Sequence, residues 1–262
     1  YFGFPQPVDQ LKEIRKSHPS CSVIEDITQS FLNSRLNGSF GRFGDFNFTV
    51  YMKYIPTPDG SLLQINNPNY KIDWGNWQFK RLEYTTSRYT AMLLKNLYLN
   101  RYPVPKTWFL NLFKHAAGMM EEYPMFALMS GVSKKLLDKM DYDQIIAKRR
   151  ENYQYLLENW ESSSIVPLHP KLPVSTCPMG FVVLTENRDY IKQELVKAKI
   201  YCAVHWQPVR PGEGNLFSKD IDREEFPISW DIAEKIMMIP IDQRYGIDDM
   251  KYILEQIRRV SI

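Results

Sequence analysis

An α/β fold is what this sequence predicts, on three observations. Short runs rich in β-branched or aromatic residues, such as SVIED, FNFTVY and SLLQI, are set off by glycine-bearing turns, as strands of a sheet are. Other segments carry apolar residues at three- and four-residue intervals, the period of helices with one buried face. A content of 44% apolar and 24% charged residues over 262 positions suits a globular chain with one large core or two domains.

The elements follow in order. After the turn at Pro5 and Pro7, Asp9 is placed to cap a helix through about Lys16. SVIED reads as a strand, with Val23 and Ile24 as its buried end and Cys21 two places upstream. NGSFGRFGDFNFTVYMKY then supplies a turn and a second strand; Gly38, Gly41 and Gly44 recur every third residue, which suits turn chemistry and not a dinucleotide fingerprint. SLLQI is a third strand, and residues 66–78, rich in Asn, Trp and Tyr without a period, read as a long loop. Residues 81–129 are helical apart from the prolines near 102–105.

At about residue 141 the character changes. DYDQIIAKRRENYQYLLENW is one long helix with Ile146, Arg149, Tyr153, Leu157 and Trp160 near helical spacing. A strand at about 180–184, a helix at 189–199, a strand at 201–205 and a helix from Asp248 follow, the last with Met250, Ile253, Leu254 and Ile257 as its buried stripe. The chain is therefore expected to divide at 145/146, into a remaining part of a large domain (1–145) and a small C-terminal α/β domain (146–262).

Several function classes lose support at this stage. A formal charge of +3 without single-sign runs gives no reason to expect nucleic acid or an acidic membrane as partner. No stretch approaches the eighteen or so apolar residues of a membrane span, and no secretory leader is legible. Cys21, Cys177 and Cys202 read as reduced core residues of a cytoplasmic protein. His18 and Cys21 lack a second ligand pair, so no metal site is assigned. The four histidines are scattered and no G-x-S-x-G occurs, which leaves no hydrolase triad.

Asp26 poses the sharper question. A carboxylate following an apolar strand is costly to bury without a partner, and from the residues alone it either caps the next helix or pairs with an arginine. Asp26 and Gln29 lie three apart at one strand end, and Lys53 stands at the end of the next strand. Strand ends on one edge of an α/β sheet converge on the ligand crevice, so a carboxylate, an amide and a lysine can meet there.

At these residues the chain resembles the DegT-type sugar aminotransferases, pyridoxal-phosphate enzymes of the aspartate aminotransferase-like, fold-type-I class. VIEDITQS resembles the family's strand ending E-D-x-x-Q, GRFGDFNF its G-D turn and strand, and MKYIPTPDG a subgroup reading R-K-W-x-P-x-P-D-G-G. RRENYQYLLENW, YCAVHWQP and IPIDQRYGIDDMKYI resemble further family segments in the same order.

The resemblance implies roles. Asp26 would face the ring nitrogen of pyridoxal 5'-phosphate, Gln29 its phenolic oxygen, and Lys53 would form the Schiff base and carry the proton between substrate Cα and the cofactor. His205 and Trp206 would line the substrate mouth. The serine that binds phosphate five places before the lysine is Phe48 here, leaving Thr49 or Asn47 as its substitute, and the subgroup's second glycine is Ser61. The implied reaction moves an amino group from an amino acid donor to a keto acceptor such as a nucleotide-linked keto-sugar, in a homodimer. The rival is a catalytically silent relative serving as an interaction or scaffold domain. Family members are about half as long again, and their phosphate-binding helix start, ring-stacking aromatic and several strands have no counterpart before Tyr1. The large-domain sheet is therefore expected to be incomplete.

Overall fold

The computed structural model describes residues 1–72, 81–122, 127–206 and 223–261. The chain divides into two units, one of Pro7–Ser34 and Ser39–Asp141, the other of Tyr1–Gln6, Arg35–Gly38 and Tyr142–Ile262.

The first unit begins with α1 (Val8–Ser17), preceded by Pro7 at the N-cap position. Asp9 lies inside the first turn and pairs with Lys12 at 2.8 Å, so it does not cap the helix as expected; Pro7, lacking an N–H and held at φ −72°, precedes the helix in its place. Next come β1 (Ile24–Asp26), the short α2 (Asn33–Leu36) and β2 (Phe46–Val50). A 3-10 turn, Tyr51–Lys53, leads through a loop to β3 (Ser61–Ile65). The sheet order is β1-β2-β3, with β1 parallel and β3 antiparallel to β2. Two long helices, α3 (Leu82–Leu99) and α4 (Lys106–Glu122), pack on each other, and α5 (Gly131–Asp138) follows.

One expectation about β1 does not hold. Ile24 is 63% exposed and Asp26 is also exposed. The cause lies in the face: Ile24 and Asp26, two residues apart, project from one face of the strand, and both are exposed there among the described residues. Cys21 is likewise on the surface, whereas Cys177 and Cys202 are buried. Residues 66–72 carry no helix or strand; the rest of the expected loop, and residues 123–126 of the expected helical region, lie outside the described residues.

The second unit holds α6 (Tyr142–Glu158), β4 (Val166–Pro167), β5 (Phe181–Leu184), α7 (Arg188–Lys197), α8 (Pro227–Lys235), β6 (Ile236–Ile239) and α9 (Ile247–Val260). β4, β5 and β6 form an antiparallel sheet in that order. Its core joins Tyr153 and Leu156 of α6 to Phe181, Val183, Ile191, Leu195, Met237 and Ile239, and takes in Met250, Ile253, Leu254 and Ile257, the stripe read from the sequence of α9. Each such side chain contributes about 1.5–3 kcal/mol on burial. The expected strand at 201–205 is only an isolated bridge, Ala203 to Met238, whose two hydrogen bonds measure 3.0 and 2.8 Å. Its partner β6, IMMI, was not legible, because four apolar residues in a row carry neither helical nor strand period.

Polar groups of α6 anchor this unit's loops. Arg149, 3% exposed, donates to Gln243 Oε1 at 2.9 Å and to the Met179 carbonyl at 2.9 Å. Asn152 donates to the carbonyls of Ile241 and Tyr245, both at 3.1 Å. Both residues sit among the helix's apolar positions, satisfying loop carbonyls that would otherwise be buried without a donor.

Candidate active site

The parallel pair β1/β2 fixes the geometry of the first unit's candidate residues. Asp26, the last residue of β1, lies opposite Phe48 of β2. β2 runs on for two residues and enters the turn that ends at Lys53. Asp26 and Lys53 therefore follow the ends of adjacent parallel strands, at the same edge of the sheet. Asp26 Oδ1 accepts a hydrogen bond from the Thr28 amide at 2.9 Å, an Asx-type turn. Asp26 caps no helix, since α2 begins only at Asn33, and no arginine pairs with it among the described residues, which leaves Oδ2 without a partner there. Lys53 is exposed.

Gln29 lies half-buried in the turn after β1, and its carbonyl accepts a short hydrogen bond from the Tyr54 hydroxyl. Thr49 has a different setting. It is 1% exposed, on the same face of β2 as Asn47, and its Oγ1 has no hydrogen-bond partner among the described residues. Asn47 spends one amide hydrogen on the Gly41 carbonyl at 2.5 Å, and its remaining orphan is the acceptor Oδ1. Both substitutes for a phosphate-binding serine retain a donor, Thr49 its hydroxyl and Asn47 the second hydrogen of its amide.

Ser61, where the resembling subgroup has glycine, pairs with Val50 in β3 and is not among the residues with positive φ. The demanding position is Gly60, at φ +113°, where a Cβ would stand 2.4 Å from Met129 Sδ. A serine after it therefore costs the turn nothing.

His205 and Trp206 belong to the other unit. There they join Tyr1 and Phe2 in a cluster of rings. Trp206 meets Tyr1 edge-on at 5.0 Å, His205 meets Phe2 at 5.2 Å, and Phe2 lies 5.8 Å from Trp206. Trp206 is 36% exposed and has φ 51°, a left-handed conformation uncommon for a bulky residue.

Two carboxylates that sequence reasoning passed over are better connected than Asp26. Asp45, 3% exposed, accepts from Arg15 at 2.7 Å, Asn67 at 2.8 Å and the Val23 amide at 2.8 Å. The Val23 amide and Asn67 bonds, with Arg15 beside them, hold its carboxyl below the ordinary value of 3.8. Asp59 accepts from the hydroxyls of Thr85 at 2.6 Å, Ser130 at 2.9 Å and Ser133 at 2.5 Å, joining its loop to α3 and α5. The available signals were the G-D pair before β2 and the P-D-G turn before β3. Neither names its distant partners.

What this edge can do follows from its donor set. A carboxylate with a free oxygen can hold a protonated ring nitrogen, and a lysine on the neighbouring strand end can condense with an aldehyde; the Thr49 hydroxyl projects from the other face of β2 from Phe48, the residue in register with Asp26, and does not join this set. Asp26 and Lys53 fit pyridoxal 5'-phosphate.

Solved structures share the fold. An aminotransferase from Brucella abortus is 17% identical, with 99% of this chain and 62% of that one covered and a TM-score of 0.58. Spr1654 from Streptococcus pneumoniae, in its PLP form, is 16% identical over 99% of this chain and 66% of its own, with a TM-score of 0.61. PseC of Helicobacter pylori, an aminotransferase of pseudoaminic acid biosynthesis, is 14% identical over 100% and 65%, with a TM-score of 0.62. The chain thus spans slightly less than two thirds of the length of these structures. A comparison with curated proteins finds no match. At the level of sequence, residues 1–258 match the model of the DegT/DnrJ/EryC1/StrS aminotransferases, and the chain belongs to that family.

Proposed function

We propose that this chain carries the cofactor-facing strand ends of a pyridoxal-phosphate-dependent sugar aminotransferase, which moves an amino group from an amino acid to a keto-sugar, nucleotide-linked in the fullest form of the reading. The observation that carries the reading is the juxtaposition of Asp26 and Lys53 at one edge of the parallel pair β1/β2. Family membership and the likeness to sugar-processing aminotransferases support it.

The cofactor, when bound, supplies an electron sink for the charge that develops at the substrate Cα. The protein's own residues do the rest. Asp26 holds a proton on the ring nitrogen, where an anion stabilises the positive charge. Gln29 offers an amide to the phenolic oxygen. Lys53 binds at the carbonyl carbon and afterwards moves a proton between the substrate Cα and C4′. His205 and Trp206 contact the sugar in the same reading. The protein acts as a cytoplasmic homodimer. No helix among the described residues is long and apolar enough to cross a membrane.

The test uses the full-length protein with pyridoxal phosphate and borohydride. A reduced pyridoxyl group should map to Lys53 and vanish in Lys53→Ala. Asp26→Asn should keep the cofactor bound and slow amino transfer by about 100-fold or more, because an amide cannot hold the ring nitrogen protonated. Label on another lysine, or near-normal turnover in Asp26→Asn, would overturn the assignment.

A further inference from the structure

We infer that Tyr54 is a positioning residue, which sets the Lys53 amine against the strand edge carrying Asp26 and Gln29; the inference rests on the role of Lys53 proposed above. Lys53 ends its 3-10 turn exposed, and its ammonium makes no hydrogen bond among the described residues. Its placement must therefore come from the backbone that carries it.

The adjoining residue supplies that placement. Tyr54 is 3% exposed, its ring stands edge-on to Phe31 at 5.4 Å, and its amide donates to the Tyr51 carbonyl at 3.0 Å. Its hydroxyl crosses to the Gln29 carbonyl. The turn that bears Gln29 is tied to the strands in its own right, by Thr28 N to Asp26 Oδ1 at 2.9 Å and Ile27 N to Phe48 O at 3.0 Å. Bonded groups therefore run without a break from Asp26, through residues 27–29, across the Tyr54 hydroxyl, to the residue next to Lys53. Ring packing is non-directional and tolerates sliding. The hydroxyl is directional, and fixes one turn against the other.

The rest of the loop is closed by other means. Tyr51 N donates to Gly60 O at 3.2 Å, and Asp59 joins the far end to Thr85, Ser130 and Ser133. Loss of the Tyr54 hydroxyl should thus leave the loop folded and release only the setting of Lys53. Misplacement by about 1 Å can cost a reaction about 100-fold.

The experiment reads the rate at which Lys53 is labelled in the full-length protein. The amine condenses with the aldehyde of pyridoxal phosphate and releases water; borohydride then adds hydride to the C=N bond, and peptide mass mapping locates the product. In Tyr54→Phe the maximal labelling rate should fall by about 10-fold or more, while the half-saturating concentration of pyridoxal phosphate stays within about twofold. Without cofactor, amide exchange in residues 27–33 and 51–57 should quicken together. Asp59→Asn, which loosens the far end with the hydroxyl bond intact, should label Lys53 within about twofold of the parent rate.

Parent-rate labelling in Tyr54→Phe, or equal slowing in Asp59→Asn, overturns the role of Tyr54 and leaves that of Lys53 standing. A parent protein labelled on a different lysine overturns both. Should Tyr54→Phe fail to fold, Phe31→Leu decides, since it loosens the ring packing with the hydroxyl bond intact: labelling should stay within about twofold of the parent rate, and slowing by about 10-fold there assigns the placement to packing and overturns the inference.

Discussion

Asp45 spends both carboxylate oxygens on partners, Oδ1 on Arg15 and Asn67 and Oδ2 on the Val23 amide. These contacts favour the charged form, so its proton affinity is lower folded than unfolded. The contribution is present in full above the unfolded value near 3.8, and is lost as pH falls through the depressed folded value. Asp45→Asn should therefore lower the melting temperature by several degrees at neutral pH, and the gap from the parent should narrow as pH falls below the unfolded value near 3.8. A constant gap down to about pH 2 in thermal scans would contradict the assignment. The thiols give a second check: burial pushes Cys177 and Cys202 up to about 12, while Cys21 is exposed. Ellman's reagent at about pH 8 should find Cys21 quickly and the other two only after denaturation; rapid labelling of all three would refute the buried placement. Asp26 and Asp45 also show what a sequence conceals. Both are strand-flanking acids, and the partners of Asp45 lie 30 residues before it and 22 after, a distance at which neither period nor spacing carries information. Asp26, Gln29 and Lys53 stand out in the sequence because they repeat a family's local motifs, and their roles are the proposal made above.

At the scale of elements, periodic segments were the readable ones. α6 and α9 each bury a face over four or five turns, and the α9 stripe Met250, Ile253, Leu254 and Ile257 is buried residue for residue. Shorter pieces were decided by partners. Tyr201 to His205 has strand-like residues but gains a single bridge, while IMMI becomes a full strand because β5 lies beside it. Ile24 reads as buried from its apolar neighbours and is exposed because the face of β1 that it shares with Asp26 is uncovered among the described residues. The turn from β2 to β3 is stricter. Gly60 has φ +113° and a Cβ there would press on Met129 Sδ at 2.4 Å, so Gly60→Ala should destabilise by roughly 1–3 kcal/mol. Ser61→Gly should be nearly neutral or mildly destabilising, since Ser61 sits in a regular ladder. Denaturant midpoints measure both, and a Gly60→Ala variant as stable as the parent would mean that the turn adapts.

At the scale of the whole chain, the two units differ in how fully their apolar residues are covered. The unit with α6 and α9 has a continuous core around Phe181, Met237 and Ile239, all fully buried. In the other unit β3 exposes Leu62 and Leu63 on opposite faces, at 44% and 40%, and β1 exposes Ile24 at 63%. Both are edges of the sheet among the described residues. On α3 and α4, Leu82, Leu93, Leu99, Trp108 and Leu110 are exposed as well. An edge strand with free N–H and C=O groups beside uncovered leucines is a template for pairing with another strand, from the same protein or from a second copy. A chain limited to these 262 residues should therefore self-associate in a concentration-dependent way. Combining Leu62→Lys with Leu63→Glu should reduce the association without unfolding the sheet, because charges on an edge strand oppose further pairing. Sedimentation velocity over a dilution series separates the outcomes. If the parent chain sediments as one monomeric species at every concentration, the exposed edges are already satisfied and their reading as pairing surfaces fails.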